Sequence, residues 1–265
     1  MGTKIAIEAQ NLSIGFQQNK QFLNLISDIN FRINTGDLIA IVGANGTGKS
    51  TLLKTLSKEI TFKGTVNVFG KSVADLSDKE FSKKLTSVGT AYQVQSYTTV
   101  FDVISKGRSV HTDWVGRFSK QDTEIIKSSA TKVGISHLLE RFYNQLSDGE
   151  KQRTLLAMAL AQQSDIILLD EPTAFIDYPN KYYLSSLLNQ VTKTENKTVI
   201  FSSHDLEVVL TYADKILFFS DKKVDLLTKK EFLHKDKIYK LFDNHQLDSE
   251  FRSTLVEQLL TNFKS

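Results

Sequence analysis

The sequence predicts an α/β fold built on a parallel sheet whose strands end in polar residues. Three apolar runs support this prediction, at residues 38–42, 166–169 and 198–201. Strands of a parallel sheet are buried on both faces and therefore appear as continuous apolar runs. Each of these runs is followed directly by glycine, acidic or other polar residues. Open α/β sheets bind ligands at the carboxyl ends of their strands, so we expect the functional residues at that edge.

Composition restricts the possible classes of function. The chain has 265 residues, 40% hydrophobic and 24% charged, which is ordinary for a globular protein. A formal net charge of +3 is too balanced to favour nucleic acid as a partner. The chain has no cysteine, which excludes disulfides, thiolate catalysis and cysteine-ligated zinc. The first residues do not resemble a signal peptide, and no apolar run approaches the roughly 20 residues that span a bilayer. We therefore expect a cytoplasmic protein that contacts membranes only through a partner.

The glycine-rich stretch at residues 43–50 fits the phosphate-binding pattern GxxxxGK[ST] at every fixed position. It joins a predicted buried strand to an amphipathic helix beginning at residue 51, which is the context that this motif requires. Its glycines let main-chain N–H groups surround phosphate oxygens at a helix N-terminus. Lys49 would reach the β- and γ-phosphates, and the Ser50 hydroxyl would hold Mg²⁺. The alternative, a glycine-rich turn that merely carries a lysine, does not explain the flanking strand and helix.

Two other strand ends carry groups suited to phosphate chemistry. Asp170 and Glu171 follow the run at 166–169, where the first would support Mg²⁺ and the second would deprotonate an attacking water. His204 follows the run at 198–201 and would hydrogen-bond the γ-phosphate. Taken alone, the acids could begin a solvated loop and the histidine could be structural. Their convergence on one edge favours the catalytic interpretation.

A second, mostly antiparallel sheet is predicted beside the phosphate loop. Residues 5–9, 29–33 and 64–70 alternate apolar and less apolar side chains, as half-buried strands do. Phe16 is predicted on the connection after the first of these strands. An aromatic side chain there could stack on a nucleotide base or could cover the edge of the core.

Strand signals stop and later resume, which indicates an inserted helical subdomain. Residues 75–85 have a helical pattern, 86–90 are extended, and 100–141 contain several short helices. We assign no chemistry to the charged, helix-like C-terminus. The predicted organisation is a core at 1–90 and 156–229, a helical subdomain at 91–155 and a C-terminal extension at 230–265.

Residues 146–153 narrow the class of phosphate-binding protein. Alone, Ser147 and Glu150 form a capping-box pattern at the start of a helix. Together with the phosphate loop and the Asp-Glu pair, the stretch resembles the signature sequence of ATP-binding cassette (ABC) ATPases, which is usually LSGGQ. The resemblance spans roughly residues 3–225 in the family's order: Phe16, Walker A at 43–50, the signature at 146–150, Walker B at 166–171, the D-loop at 174–177 and the switch histidine, His204.

This resemblance implies a P-loop NTPase fold with a RecA-like core, and two ATP molecules held between the subunits of a head-to-tail homodimer. The signature of one subunit would meet the γ-phosphate held by the other. Catalytic roles fall on Lys49, Glu171 and His204, and Mg²⁺ coordination on Ser50, Asp170 and Gln93. The implied nucleotide contacts are Phe16, Gly43, Asn45, Gly46, Gly48, Lys49, Ser50, Thr51, Gln93, Ser147, Gly149 and Asp177.

Two departures from the family pattern are visible. Asp148 and Glu150 replace the usual Gly and Gln of the signature. Because carboxylates repel a polyphosphate, we expect both side chains to face away from the nucleotide. The glutamine of the loop that enters the helical insert is harder to place. Gln93 is the best candidate and Gln95 the alternative, while the expected position could also fall on residues 90–91.

Residues 106–108 and 111–117 resemble the insert of importers for iron chelates, haem and vitamin B12, in particular the ferric dicitrate or siderophore type. The resemblance implies an ATPase on the cytoplasmic face of the membrane, bound peripherally to a polytopic permease and indirectly to an extracytoplasmic substrate-binding protein. Trp114 and Arg117 would anchor the permease. The alternative for this stretch is an ordinary surface loop.

Two other classes of ABC ATPase compete with the importer. A soluble ATPase would normally show a second cassette, a coiled-coil insertion or a basic patch, and none is visible in this sequence. Exporters commonly fuse a transmembrane domain to the cassette. We therefore expect an importer subunit with no nucleic-acid partner.

Overall fold

A computed structural model describes residues 4–89, 92–112, 117–242, 254, 256–259, 261 and 263. Within them, ten strands form two sheets. The strands are β1 (Ile5–Gln18), β2 (Gln21–Asn34), β3 (Leu38–Gly43), β4 (Lys63–Val68), β5 (Lys71–Ser72), β6 (Leu85–Val88), β7 (Ile166–Leu169), β8 (Thr198–Ser202), β9 (Lys215–Ser220) and β10 (Lys223–Thr228).

The larger sheet has the strand order β10-β9-β3-β8-β7-β6. All neighbours are parallel except β9 and β10, which form an antiparallel hairpin. Every residue of β3, β7 and β8 is buried, which explains why these strands appear as unbroken apolar runs. The carboxyl ends of the three strands lie side by side, as predicted, and bring the phosphate loop, Asp170 and His204 to one edge.

The smaller sheet, of order β2-β1-β4-β5, is antiparallel, as predicted. Its first two strands are much longer than the alternating segments at 5–9 and 29–33, because β1 and β2, of 14 residues each, form a hairpin closed by Asn19 and Lys20, both with positive φ. Phe16 therefore lies within β1, and its prediction on a connection was wrong. The outer half of this hairpin is exposed, so burial does not impose on it the alternation that marks the inner half.

Helices cover the large sheet and fill the stretch between β6 and β7. Within the described residues, none of them has the length and apolar character needed to cross a bilayer. The helices are α1 (Lys49–Leu56), α2 (Asp78–Lys84), α3 (Val100–Ser105), α4 (Lys120–Lys132), α5 (Asp148–Ala161), α6 (Tyr178–Thr194), α7 (Leu206–Tyr212), α8 (Lys229–Phe232) and α9 (Lys235–Phe242).

A buried ion pair ties the helical region together. Arg108 Nε donates to Asp122 Oδ1 at 2.9 Å, with both side chains less than a tenth exposed. Arg108 Nη1 also donates to the carbonyl oxygen of Ala161 on α5, at 2.7 Å. Asp122 accepts hydrogen bonds from the Ser119 hydroxyl and main-chain N–H, and the Ser119 hydroxyl is the main cause that lowers its pKa to about 2. The pair thus joins α4 to the end of α5.

Replacing Asp122 with Ala should lower the free energy of unfolding at pH 7 by about 3–5 kcal/mol, because it leaves the Arg108 charge buried without its partner. The pKa of Asp122 is lower in the folded chain than its usual 3.8, so this stabilisation is complete above pH 4 and is lost as pH falls toward 2. Urea denaturation at both ends of this pH range measures the difference.

Asp102 provides the matched control, because it caps α3 through Thr99 in the same geometry but has no arginine partner among its hydrogen bonds. Asp102→Ala should cost only about 1 kcal/mol, the usual value of an N-terminal cap. Equal losses in the two variants would contradict a special role for the ion pair.

Candidate functional site

The phosphate loop runs from the end of β3 into α1. Gly46 and Gly48 have φ values of 75° and 107°, which side chains other than glycine rarely adopt. A Cβ at Gly43 would lie 2.6 Å from the Cβ of Phe219, and one at Gly48 would lie 2.8 Å from Leu25 Cδ2. The loop is therefore pressed against both sheets, and glycine is required for both backbone conformation and space. Of the other predicted contacts, Asn45 is exposed and Ser50 and Thr51 are partly buried.

Lys49 is buried, with its amine directed into the phosphate loop. Its Nζ atom donates hydrogen bonds to the carbonyl oxygens of Gly43 at 2.9 Å and Ala44 at 3.0 Å. Burial lowers the pKa of Lys49, while the carboxylates of Glu171 and Asp170 oppose this effect. The fold thus brings the lysine of one motif into electrostatic range of the two acids of another.

Ser202, the last residue of β8, hydrogen-bonds both acidic residues at the end of β7. Its hydroxyl donates to Asp170 Oδ1 at 2.7 Å and accepts the main-chain N–H of Glu171 at 2.8 Å. The sequence placed Ser202 at a polar strand end but assigned it no role. Only the parallel pairing of β7 with β8 reveals that it sets the geometry of the Asp-Glu pair.

Glu171 and His204 meet as predicted for one edge of the sheet. His204 Nε2 lies 3.0 Å from Glu171 Oε1, and both side chains are partly exposed. Glu171 has a φ of 49°, in the left-handed region that residues with side chains rarely adopt. Both residues line an open cleft of about 600 Å³. Leu259 of the C-terminal extension also lines this cleft, although the sequence assigned that extension no chemistry.

The signature residues begin α5. Ser147 is its N-cap, and the Glu150 carboxylate accepts both the main-chain N–H of Ser147 at 2.8 Å and its hydroxyl at 2.9 Å. These hydrogen bonds, the one from the main chain foremost, lower the pKa of Glu150. Glu150 therefore points at the signature serine, and its orientation relative to a bound nucleotide stays a prediction. Asp148 instead pairs with Lys151 at 3.1 Å.

The first turn of α6 connects the signature helix to the histidine loop. Asp177, the predicted D-loop aspartate, caps α6 by accepting the N–H of Asn180. Asn180 Oδ1 accepts a hydrogen bond from Arg153 of α5 at 2.9 Å, and a Cβ at Gly149 would contact the Asn180 side chain. On the other side, Lys181 pairs with Asp205, the residue after His204, at 2.7 Å. Sequence reasoning missed these links because they join side chains from separate segments.

Some predicted residues lie away from these contacts. Phe16 is half-exposed on β1, on the same face as Ile14, which lies beneath Gly48. Gln93 and Gln95 are both exposed, so burial does not distinguish between them. Residues 90–91, the other positions considered for the loop glutamine, and Trp114 are outside the described residues.

The side chains of Lys49, Ser50 and Asp170 are of the kinds that bind a nucleotide with Mg²⁺. Within the described part of the chain, no group of three or more His, Asp or Glu residues is placed to hold a metal by itself. Mg²⁺ commonly takes one or two protein ligands together with water and substrate phosphates. The Ser50 hydroxyl and the Asp170 carboxylate are oxygen ligands of the kind that Mg²⁺ takes. The Lys49 amine is directed into the phosphate loop.

Comparison with known proteins agrees with this geometry. An ABC transporter family model matches residues 26–174. An ABC transporter ATP-binding protein of Methanocaldococcus jannaschii is 37% identical over 219 residues, covering 82% of this chain and 74% of that protein. The iron(3+)-hydroxamate import ATP-binding protein FhuC of Bacillus subtilis is 33% identical over 202 residues, covering 76% of this chain and 74% of that protein.

Among solved structures, a chain of an inward-facing ABC transporter assigned to the metal-chelate type superposes with a TM-score of 0.78 and 27% identity. The match covers 90% of this chain and 89% of the other. The fold of this chain is therefore that of an ABC ATPase cassette, as predicted from its motifs. With a family model matching more than half of its length, this chain belongs to the ABC transporter family as an ATP-binding ATPase domain.

Proposed function

We propose that the chain hydrolyses ATP in a head-to-tail homodimer, with Glu171 as general base. The observation that carries this proposal is the 3.0 Å contact between Glu171 and His204. It lies at the carboxyl edge of the large sheet, within electrostatic range of Lys49. His204 holds Oε1 of Glu171, which leaves Oε2 to accept a proton from the attacking water. Lys49 and His204 stabilise the negative charge of the departing phosphate. Ser50, Asp170 and Gln93 would hold Mg²⁺, which would supply neutralisation of charge on the phosphate oxygens.

A second copy completes the site. Lys49 and Glu171 would cover one side of the triphosphate. In the same subunit, Ser147 hydrogen-bonds within α5 and Gly149 lies against Asn180 of α6. In a head-to-tail pair, the signature of the partner subunit would approach the open side of the γ-phosphate. Phe175 of the D-loop is 86% exposed, which suits a surface that a second copy covers. Closure on ATP and opening after hydrolysis would supply the mechanical output.

The transported cargo is proposed to be an iron chelate of the siderophore type. This proposal is supported by the resemblance of residues 106–108 and 111–117 to that group and by the import proteins among the similar relatives. The chain would act at the cytoplasmic face of the membrane, bound to a polytopic permease that an extracytoplasmic binding protein supplies. We propose that the helical region at 91–155, inserted between the core segments 1–90 and 156–229, is the docking subdomain. Arg117 and Tyr97 lie in this region, and both are exposed.

Affinity purification from detergent-solubilised membranes tests this assignment. A tagged chain should recover a many-helix membrane protein, and ATPase activity of the complex should rise when the loaded binding protein is added. Recovery of the chain alone in the soluble fraction would favour a soluble ABC ATPase, while stimulation by a substrate from the cytoplasmic side would favour an exporter.

A further inference from the structure

Ser147 has both of its hydrogen-bond donors occupied by one carboxylate. Glu150 Oε2 lies 2.8 Å from the Ser147 main-chain nitrogen and 2.9 Å from its hydroxyl oxygen, while the Glu150 N–H donates back to that hydroxyl at 3.4 Å. The contact is local to α5 and faces solvent, since Ser147 is exposed and Glu150 is only partly buried. A negatively charged group is therefore already bound at the N-terminus of the signature helix.

We infer that Glu150 is a built-in competitor for the γ-phosphate, which must displace its carboxylate from the Ser147 hydroxyl before the dimer closes. This inference rests on the proposed function, in which Ser147 meets the γ-phosphate held by the partner subunit. A hydroxyl has a single proton to donate, so it cannot serve the Glu150 carboxylate and a phosphate oxygen at the same time. The two anions therefore compete for one donor.

The negative charge of Glu150 increases the free-energy cost of replacing its carboxylate with the γ-phosphate. Both competing groups are anionic, and both are favoured by the positive end of the α5 dipole. Hydrogen bonds to ionised acceptors are about twice as strong as those between neutral groups. A displaced Glu150 carboxylate also stays close to the incoming polyphosphate and repels it. Glu150 would thus hold the subunits apart until the ATP concentration is high enough to overcome this contact.

Replacing Glu150 with Gln separates the negative charge of the side chain from its hydrogen bonds in the capping box. Its amide oxygen can accept the same two hydrogen bonds, because Gln also serves in capping boxes, so α5 keeps its N-terminal structure. The negative charge is removed, and the remaining acceptor competes more weakly for the Ser147 hydroxyl. Glu150→Gln should therefore favour ATP-driven dimerisation without unfolding the helix.

The chain contains a matched control in α2. There, Glu80 Oε2 lies 3.0 Å from the Ser77 nitrogen and 2.6 Å from its hydroxyl oxygen, and the Glu80 N–H donates back at 3.3 Å. Hydrogen bonds to Ser77 lower the pKa of Glu80, as those to Ser147 lower the pKa of Glu150. Glu80→Gln thus removes an equivalent charge from an equivalent capping box that has no part in the proposed nucleotide site.

Sedimentation velocity with increasing Mg-ATP tests the inference, using a Glu171→Gln background so that hydrolysis does not reopen the dimer. Relative to that parent, Glu150→Gln should lower the ATP concentration for half-maximal dimerisation by about three- to tenfold, and Glu80→Gln should leave it unchanged. The ADP affinity of all three proteins should be equal, because ADP lacks the γ-phosphate.

The outcomes separate this inference from the function on which it rests. If the parent dimerises with ATP and Glu150→Gln gives the same midpoint or a higher one, Glu150 is only a helix cap. A changed ADP affinity in Glu150→Gln would likewise overturn competition with the γ-phosphate. If the parent stays monomeric at saturating ATP, the head-to-tail mechanism itself is wrong and the competitor role is lost with it.

Discussion

Replacing Glu171 with Gln is expected to lower kcat for ATP hydrolysis by about 10²–10⁴ while ATP binding is retained, since the general base is lost and the phosphate-binding groups stay in place. The amide has nearly the shape of the carboxylate, and the main-chain N–H of Glu171 remains bonded to Ser202. Bound ATP should therefore persist and trap the closed dimer. Steady-state phosphate release and equilibrium nucleotide binding measure the two effects separately.

Glu207 offers a control for this substitution because it lines the same cleft but hydrogen-bonds Tyr178 instead of His204. Glu207→Gln should keep kcat within about twofold, as expected for a change at a surface group. If Glu171→Gln turned over ATP at the wild-type rate, the water would have to be activated by another residue.

Replacing Lys49 with Ala should instead weaken ATP binding, by about 10²-fold or more, because charge-assisted contacts to two phosphates are lost at once. The lysine amine is buried and already bonded to Gly43 and Ala44, so its loss also removes a tie within the phosphate loop. Titration calorimetry with ATP in the presence of Mg²⁺ gives the change in Kd.

Lys54 is the matched control for Lys49, since it lies on the same helix, carries the same charge and is exposed. Lys54→Ala should leave the Kd for ATP unchanged within about twofold, because exposed charges contribute little. Equal loss of affinity in both variants would point to general electrostatic attraction, and unchanged affinity in Lys49→Ala would contradict the phosphate-loop assignment.

The predicted and observed structures agree best where a motif is contiguous and its strand is buried. The apolar runs became β3, β7 and β8 because strands covered on both faces must be apolar throughout. Agreement was poorest where burial exerts little control. The exposed outer half of the β1 and β2 hairpin shows no clean alternation, so its length and the place of Phe16 were predicted wrongly.

Side-chain orientation in the signature stretch follows local hydrogen bonding. Electrostatic repulsion predicts that Glu150 turns away from a nucleotide, and in the folded chain its carboxylate accepts hydrogen bonds from the N–H and hydroxyl of Ser147. A carboxylate three residues into a helix reaches those donors readily, as capping boxes do. The capping-box reading of this stretch therefore described the local geometry, and the family resemblance described its chemistry.

The sequence by itself determined the fold class and the motifs of this protein, because a phosphate loop, an acidic strand end and a signature helix are each encoded in a few consecutive residues. Only the tertiary structure decided how these motifs are held. Ser202 is 32 residues from Asp170 in sequence and 2.7 Å from it in space, and Lys181 reaches Asp205 across 24 residues. Such contacts depend on the register of paired strands and the packing of helices, which a linear sequence pattern does not specify.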